Sequence, residues 1–167
     1  SLKPVANRNL PPLPRFGVSL KMSDEFNQFS WFGLGPHECY SDRKESGRLG
    51  VYKGTVEEQF VPYIKPQENG NKAEVRWSTV TNKLGMGLMF SGEPLFNTSV
   101  HHYTTEDLAR AKNVSELEKR NETIINLDEA QSGIGNHSCG YAPTMTQYLL
   151  EAKERVFSFK IRPISLT

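Results

Sequence analysis

The chain lacks both a long apolar run and a marked excess of charge of either sign. Its 167 residues include 20 Lys and Arg against 19 Asp and Glu, so the formal net charge is +1. Binding to nucleic acid or to an anionic membrane surface is driven by clustered positive charge, and the sequence has no long basic run. No apolar stretch approaches the roughly 20 residues that a membrane-spanning helix needs. We therefore expect neither nucleic acid nor a membrane as a partner.

Cysteine is also scarce, with only Cys39 and Cys139 in the chain. A domain of this length does not need a disulfide for stability, which favours two free thiols over a bridge between them. The first ten residues have no initiator Met and no apolar core of a signal peptide. We interpret this start as an internal cut in a longer protein, and it leaves the cellular compartment open.

The distribution of proline and of apolar residues predicts a β-rich domain. Four prolines in residues 4–14 indicate a linker or an edge segment over 1–14, and the domain itself is expected over 15–167. Apolar side chains alternate in 15–22, which is typical of a half-buried strand. Further strands are predicted at 74–81, 84–90, 95–100, 123–127 and 155–163, with an apolar segment at 26–34 and long loops at 39–54 and 133–140.

One helix is predicted, beginning near Thr104. Thr104 and Asp107 have the spacing of a capping box, in which each side chain binds the backbone of the other residue. Many strands, closely spaced turns and a single short helix predict a mainly β fold, an antiparallel sandwich or barrel.

Residues for three kinds of catalytic or cofactor site occur in the sequence, and each set also has a plain structural interpretation. Both G-x-G triplets lack the third glycine of a dinucleotide site. A metal site from His37, Cys39, His137 and Cys139 is conceivable but incomplete as a pattern, and His101 and His102 add only an adjacent pair. Hydrolysis of a glycoside needs two facing carboxyl groups, and the candidate pairs are Glu38 with Asp42, Glu57 with Glu58 and Asp128 with Glu129. The sequence cannot place any pair across a cleft, so ordinary surface carboxylates are the better interpretation.

The segment 31–43, WFGLGPHECYSDR, concentrates aromatic residues, glycine, proline and charge. Trp31 and Tyr40 have flat rings of the kind that stack on sugars, and Arg43 with Glu38 and Asp42 can form a polar network. The segment is either the wall of a ligand site or a rigid structural corner, and we favour the corner.

This segment resembles the W-x-G-x-G-P-x-E-x-Y-x-D-R motif near the C-terminus of family-two β-galactosidases. Three other segments are similar to motifs of that family and occur in the same order: PYIKPQENG at 62–70, YTTEDL at 103–108, and LDEAQSGIG at 127–135. Together they cover nearly the whole chain, from about residue 16 to residue 163.

The resemblance implies the second half of a C-terminal β-supersandwich that is similar to galactose mutarotase. It also implies that the parent enzyme hydrolyses β-galactosides such as lactose with retention of configuration. The catalytic glutamates and an assisting magnesium ion would belong to an upstream barrel, so this segment is expected to hold no catalytic residue, metal or cofactor. Its expected partners are the remainder of the parent chain and further copies of it, since family enzymes are usually oligomers.

The resemblance also suggests roles for individual residues. Candidates for the rim of the substrate site are Arg162, Trp31 and Tyr40, although the family's stacking Trp is missing from the last strand and Cys139 stands where some relatives have Trp. Residues that match the family motifs are expected to be structural: Gly33, Gly35, Pro36, Glu38, Asp42, Arg43, Glu68, Asn69, Gly70, Gln131, Gly133 and Gly135.

Two functions therefore remain open from the sequence. The first is an accessory segment of a β-galactosidase that contributes to the active-site rim and to assembly and is inactive alone. The second is an independent carbohydrate-binding or interaction module with the same ancestry. Half of a supersandwich is expected to expose an apolar patch or to self-associate.

Overall fold

The computed structural model of the chain describes residues 10–135 and 143–165. In these residues all strand pairs are antiparallel and a single short α-helix occurs, so the mainly β prediction is confirmed. None of the described helices is long and apolar enough to cross a membrane. The elements are β1 (Arg15–Ser23), β2 (Gln28–Gly35), β3 (Arg48–Thr55), β4 (Lys72–Thr81), β5 (Met86–His101), α1 (Thr105–Arg110), β6 (Glu122–Gln131) and β7 (Ser158–Ser165), with 3₁₀ turns at Glu57–Gln59, Val114–Glu116 and Thr146–Tyr148.

The strands form one sheet that folds back on itself. Their order is β1-β6-β5-β4-β2-β3, and β7 pairs with β5. Residues 24–27 alone connect β1 to β2, yet three strands lie between these two in the sheet. The sheet must therefore curl until β1 faces β2, and the carbonyl of Phe26 accepts a hydrogen bond from Thr123 Oγ1 of β6 at 3.0 Å. The result is two facing leaves of an antiparallel sandwich.

The core lies between the two leaves and draws apolar side chains from six strands or their ends. Alternate residues of each strand point inward, as the period of two requires. Burial of this apolar surface is the main force that stabilises the curled sheet. The buried cluster consists of Phe29, Trp31, Val56, Val75, Val80, Phe90, Phe96, Val100, Ile125, Leu127 and Phe157.

The strand β5 corrects one prediction from the sequence. The sequence predicts two strands, 84–90 and 95–100, separated by a turn at 91–94, and this is wrong because one strand of 16 residues spans both. Residues 86–93 pair with β7, and residues 97–101 pair with β6 on the same side. The predicted turn at 91–94 lies where the pairing of β5 passes from β7, whose last pair is Glu93 with Ser158, to β6, and the register with β4 shifts there as well.

Two further boundaries differ from the sequence-based prediction. The loop predicted over 39–54 ends earlier, because β3 begins at Arg48 and pairs with β2 as an edge strand. Leu49 and Val51 of this strand are exposed. The strand therefore lacks the alternation of buried apolar and exposed polar residues by which a half-buried strand is predicted from sequence. The strand β6 likewise continues to Gln131, so the first half of the 127–135 motif is strand rather than loop.

The helix α1 begins as predicted. Thr104 Oγ1 accepts from the N–H of Asp107 at 3.1 Å, and Asp107 Oδ2 accepts from the N–H of Thr104 at 2.9 Å. Asp107 also pairs with Arg120, and this hydrogen bond holds the pKa of the Asp107 carboxyl well below its usual range. The capping box thereby ties the helix start to the segment that leads into β6.

The terminal segment 1–14 is described only in part. Residues 1–9 lie outside the described residues, and Leu13 forms an isolated antiparallel bridge with Leu150. Its N–H donates to the Leu150 carbonyl at 2.7 Å. The end of the proline-rich segment is therefore joined to the chain that approaches β7.

We expect substitutions at two cross-strand partners, one on β5 and one on β7, to differ strongly in their effect on stability. Phe90 is fully buried, whereas its cross-strand partner Ile161 is 45% exposed. We expect Phe90→Ala to lower the free energy of unfolding by about 3–5 kcal/mol, because the cavity cannot collapse inside the sandwich. Ile161→Ala is expected to cost less than about 1 kcal/mol. Urea unfolding of both variants measures the difference, and equal losses would contradict this description of the core.

Candidate functional site

The Trp31 indole lies in the core at the start of the motif segment 31–43. Its ring stacks on Phe29 with centroids 5.1 Å apart, and its Nε1 donates to the Leu34 carbonyl at 3.0 Å. The buried Lys72 Nζ lies 4.7 Å from the centre of the ring. Burial lowers the pKa of Lys72 to about 8, and the indole face stabilises the ammonium that remains. With 2% of its surface exposed, Trp31 supports the motif segment from beneath and presents no open ring face here.

Tyr40, the second aromatic rim candidate, is also buried and is bonded to Glu38. Glu38 Oε2 accepts from the Tyr40 hydroxyl at 3.2 Å and from the N–H of Gly70 at 2.8 Å, while Oε1 accepts from the Tyr63 hydroxyl. Burial raises the pKa of Tyr40, which keeps its hydroxyl protonated and able to donate. The backbones of Tyr40 and Arg43 exchange hydrogen bonds of 3.1 and 2.9 Å, which closes a tight turn around residues 41 and 42.

Asp42 sits at this turn and joins the motif segment to the glycine loop after β6. Its Oδ1 accepts from the N–H of Ile134 at 3.2 Å, and its Oδ2 accepts from the N–H of Gly135 at 2.8 Å. We call these two hydrogen bonds the loop clamp. A Cβ atom at Gly133 would lie 2.6 Å from Asp42 Cγ, so only glycine allows the loop to approach the carboxylate this closely.

The Asn69-Gly70 pair anchors the segment that carries the 62–70 motif. The Asn69 side chain accepts from the Val61 N–H at 2.9 Å and donates to the Val61 carbonyl at 2.6 Å. The Asn69 carbonyl accepts from His101 Nε2 at 2.8 Å, which assigns the proton of the neutral ring to Nε2. Gly70 has φ of +70°, and a Cβ there would lie 2.6 Å from His101 Cε1. Both the conformation and the packing therefore require glycine.

Arg15, at the start of β1, joins the same segment to β1 and β6. Its Nη2 pairs with Glu68, and its Nη1 lies 3.4 Å from Asp128 Oδ2. Burial raises the pKa of Asp128 to about 6, against the lowering effect of Arg15. Gln131, a motif residue, is the register partner of Arg15, and its buried Oε1 has no hydrogen-bond partner within the described part of the chain. The motif residues thus converge on contacts between loops.

Comparison with known proteins identifies the family to which this scaffold belongs. Residues 2–161 match the family model described as "Beta galactosidase small chain". The chain belongs to this family. The resemblance drawn from the four sequence motifs is therefore confirmed at the level of the family.

Individual β-galactosidases match over most of the chain. A relative from Priestia megaterium is 33% identical over 159 residues, which are 95% of this chain and 15% of the relative. One from Halalkalibacterium halodurans is 33% identical over 157 residues, 93% of this chain and 16% of the relative. One from Lactobacillus delbrueckii subsp. bulgaricus is 35% identical over 156 residues, 92% of this chain and 15% of the relative. The small-chain segment thus spans about 15% of the length of these relatives.

The carboxylates considered as catalytic pairs all have partners within the small-chain fold. Glu38 and Asp42 are committed to the hydrogen bonds described above. The other four contact basic side chains or backbone: Glu57 with Lys119 and His102, Glu58 with the Thr55 N–H, Asp128 with Arg15, and Glu129 with Arg155. Each therefore has a structural role that does not require a substrate.

The histidine and cysteine candidates for a metal site are only partly described. His37 Nε2 lies 2.8 Å from Ser46 Oγ, and the Cys39 side chain is fully buried. His137 and Cys139 lie outside the described residues. A pairing of Cys39 with Cys139 therefore stays a matter of prediction. Within residues 10–135 and 143–165, no group of three side chains is arranged to hold a metal ion.

Arg162, the third rim candidate, lies on the face of the sheet that points away from the core. Its Nη2 is 3.2 Å from the Sδ atom of Met89, its cross-strand neighbour. A groove of about 520 Å³ crosses this face, and we call it the outer groove. Its lining includes Ser30, Val51, Trp77, Met89, Arg162 and Ile164.

Sequence reasoning missed two charged residues on which the site depends. It assigned no role to Lys72 or Arg15, and it considered His101 only as a metal ligand. Arg15 and Glu68 are 53 positions apart, and Lys72 reaches a ring at Trp31. No local pattern in the sequence indicates such contacts, because the partners come together only when the sheet curls.

The loop clamp predicts a specific effect of Asp42→Asn. The amide nitrogen cannot accept a hydrogen bond, so one of the two N–H groups at Ile134 and Gly135 loses its acceptor. We expect a loss of about 1–3 kcal/mol in the free energy of unfolding, and faster hydrogen exchange at these two amides. Glu45, three residues after Asp42, has an exposed side chain and provides the control Glu45→Gln, which is expected to stay within about 0.5 kcal/mol. Unchanged exchange in the Asp42 variant would contradict the clamp.

The buried His101 predicts a pH dependence of stability. Burial lowers its pKa to about 4 from the ordinary 6.5, so the folded state stays neutral while the unfolded chain gains a proton. Its contribution to stability is complete above about pH 6.5 and is lost as the pH falls towards about 4.

His101→Gln keeps an amide donor for the Asn69 carbonyl and removes the titration. We expect urea unfolding of the two proteins to show a difference in stability that shrinks steadily between about pH 7 and about pH 4. The raised pKa of Asp128 acts in the opposite direction, but it is present in both proteins and cancels in the difference. Parallel pH profiles would show that His101 does not titrate in this way.

Proposed function

We propose that the chain is an accessory segment of a retaining β-galactosidase that hydrolyses terminal β-galactosides such as lactose. In this proposal it contributes to the rim of the active site and to assembly, while the catalytic glutamates and the magnesium ion belong to another domain of the parent enzyme. The family match and the names of the relatives support the parent activity. The commitment of the candidate carboxylates to structural hydrogen bonds supports an accessory role.

The loop clamp is the observation that carries the rim proposal. A loop that borders a substrate site must hold its backbone in a fixed position, since small displacements of contacting groups reduce catalysis strongly. Asp42 binds two successive N–H groups of the glycine loop, and Glu38 fixes the segment from which Asp42 projects. We assign Trp31 and Tyr40 to support of this rim from within the fold.

The outer groove supports the assembly part of the proposal. Val51 is 64% exposed at its edge, and Trp77, Met89 and Ile164 line it. A contiguous apolar surface of this kind is typical of a contact with another protein surface. The relatives are about sixfold longer than the matched segment, so the remainder of the parent chain is the partner that we assign to the groove. Arg162 would then lie at this contact. Further copies of the enzyme would bind to the parent chain after this contact has formed.

Complementation tests the proposal directly. The chain alone is expected to show no hydrolysis of a chromogenic β-galactoside, and activity is expected when it is mixed with the preceding part of its parent enzyme. Asp42→Asn is expected to lower the kcat of the mixture by at least about tenfold, since the rim loop loses its anchor. Glu45→Gln is the matched control and should leave the activity unchanged.

Three outcomes separate the alternatives. Turnover by the chain alone would overturn the accessory role and would make Glu38 and Asp42 the first carboxylates to examine. Failure to bind the preceding part of the parent, combined with binding of sugars by the chain alone, would favour an independent carbohydrate-binding module. Full activity of the complemented Asp42→Asn variant would remove the loop clamp from the rim.

A further inference from the structure

The Asn69-Gly70 pair is the one place in the chain where glycine follows asparagine. Such a pair can lose the side-chain amide spontaneously, because glycine has no Cβ atom to shield its backbone nitrogen. The Gly70 nitrogen attacks Asn69 Cγ, an N–C bond forms, the Cγ–Nδ2 bond breaks, and ammonia leaves with the proton of the Gly70 N–H. Water then opens the resulting cyclic imide at either carbonyl carbon, which leaves aspartate or isoaspartate in place of Asn69.

In the folded chain the Asn69 side chain is held away from this reaction. It is 1% exposed, and both ends of its amide bind the backbone of Val61. Its oxygen accepts from the Val61 N–H at 2.9 Å, and its Nδ2 donates to the Val61 carbonyl at 2.6 Å. The amide therefore keeps one conformation, and any change of its side-chain torsions that brings Cγ to the Gly70 nitrogen breaks both hydrogen bonds.

The attacking nitrogen of Gly70 is held as well. Its N–H donates to Glu38 Oε2 at 2.8 Å, so the proton that must leave before attack is bound by a carboxylate. The nearby negative charge also opposes the amide anion that loss of this proton forms. The Asn69 carbonyl accepts from His101 Nε2 at 2.8 Å, and Gly70 packs against the same ring, which fixes the backbone on both sides of the reacting bond.

Neither product of the reaction fits the place that Asn69 occupies. An aspartate keeps the acceptor for the Val61 N–H, but its second oxygen would face the Val61 carbonyl, where Nδ2 now donates. Two buried acceptors without a proton between them are costly. Isoaspartate lengthens the backbone directly before Gly70, which has φ of +70° and lies against His101. Either product therefore disfavours the return of the segment 61–70 to its folded position.

We propose that Asn69 is a site of spontaneous deamidation that the fold keeps closed, and that opening of the segment 61–70 makes the modification possible and then permanent. The chemistry is slow compared with the closing of a segment, so its rate follows the fraction of molecules that are open. Glu38 acts as a positioning residue, because its hydrogen bond to Gly70 keeps that fraction small. The proposal does not depend on the parent activity, since it concerns the chemistry of this chain alone.

The test compares the chain kept folded with the chain unfolded in urea, at the same neutral pH and temperature. Mass spectrometry of the digested chain measures the conversion of Asn69 to aspartate and isoaspartate over time. We expect conversion in the folded chain to be at least about a hundredfold slower than in urea. Asn113 and Asn121 are exposed and precede bulkier residues, so they should react much more slowly than Asn69 in urea. Equal rates at Asn69 in the two states, or equal rates at the three asparagines in urea, would overturn the proposal.

Glu38→Gln tests the protecting contact without a change in the Asn-Gly pair. A neutral amide oxygen is a weaker acceptor than a carboxylate, so we expect conversion of Asn69 in the folded variant to be at least about tenfold faster than in the wild type. The rates in urea should be equal. Glu45→Gln makes the same change on an exposed side chain and should leave both rates unchanged. A folded Glu38→Gln chain with an unchanged or lower rate would contradict the role of Glu38, and the comparison with urea decides the proposal even where this variant does not fold.

Asn69→Asp reproduces one product and tests whether the modification is permanent in its effect. We expect the midpoint of its urea unfolding to shift to a lower urea concentration, because the donor to the Val61 carbonyl is lost. Asn113→Asp is the matched control, since only the oxygen of Asn113 is used, by the N–H and hydroxyl of Ser115. Its midpoint should stay that of the wild type. An Asn69→Asp chain as stable as the wild type would overturn the claim that the product prevents refolding. These results leave the complementation experiment unaffected, so the two proposals fail separately.

Discussion

The hydrogen bonding of one strand determines how the rest of the fold is arranged. β5 pairs with β4 along one side, and along its other side it pairs first with β7 and then with β6. Because it belongs to both leaves, the sheet can curl without breaking, and β1 comes to face β2. The core between the leaves and the outer groove on β7 both depend on this division of a single strand.

Half-buried carboxylates connect the loops that the curled sheet brings together. Glu38, Asp42 and Glu68 each reach a segment distant in sequence, and each accepts from a backbone N–H, a hydroxyl or a guanidinium group. A hydrogen bond to a charged group contributes about 1.5–3 kcal/mol, roughly twice the contribution of a neutral one. The motif segments 31–43 and 62–70 therefore make one end of the sandwich rigid. This rigidity links the fold to the proposed role at the border of an active site, where a loop must keep its position without forming part of the reaction.

The two concave surfaces outside the core differ in chemistry because different elements cover them. The outer groove is open and apolar, since β3 is an exposed edge strand and no described helix packs over β2 and β4. The cavity of about 300 Å³ between β5, β6 and α1 is polar because Ser99, His101 and Asn126 point away from the core on strands whose other face is apolar. The same alternation along β5 and β6 thus supplies core residues to one side and hydrogen-bonding residues to the other.

The sequence by itself determined the β class, the capping box of α1, the half-buried strand β1 and, through its motifs, the family. These features rest on local periodicity or on neighbouring residues, which the chain order records directly. The split of β5 between two partners, the edge strand β3 and the burial of Trp31 and Tyr40 were decided only by the tertiary structure. The same is true of the contacts of Lys72, Arg15 and His101. Their partners lie on other strands or loops, and a side chain's burial and pKa depend on what the curled sheet places beside it.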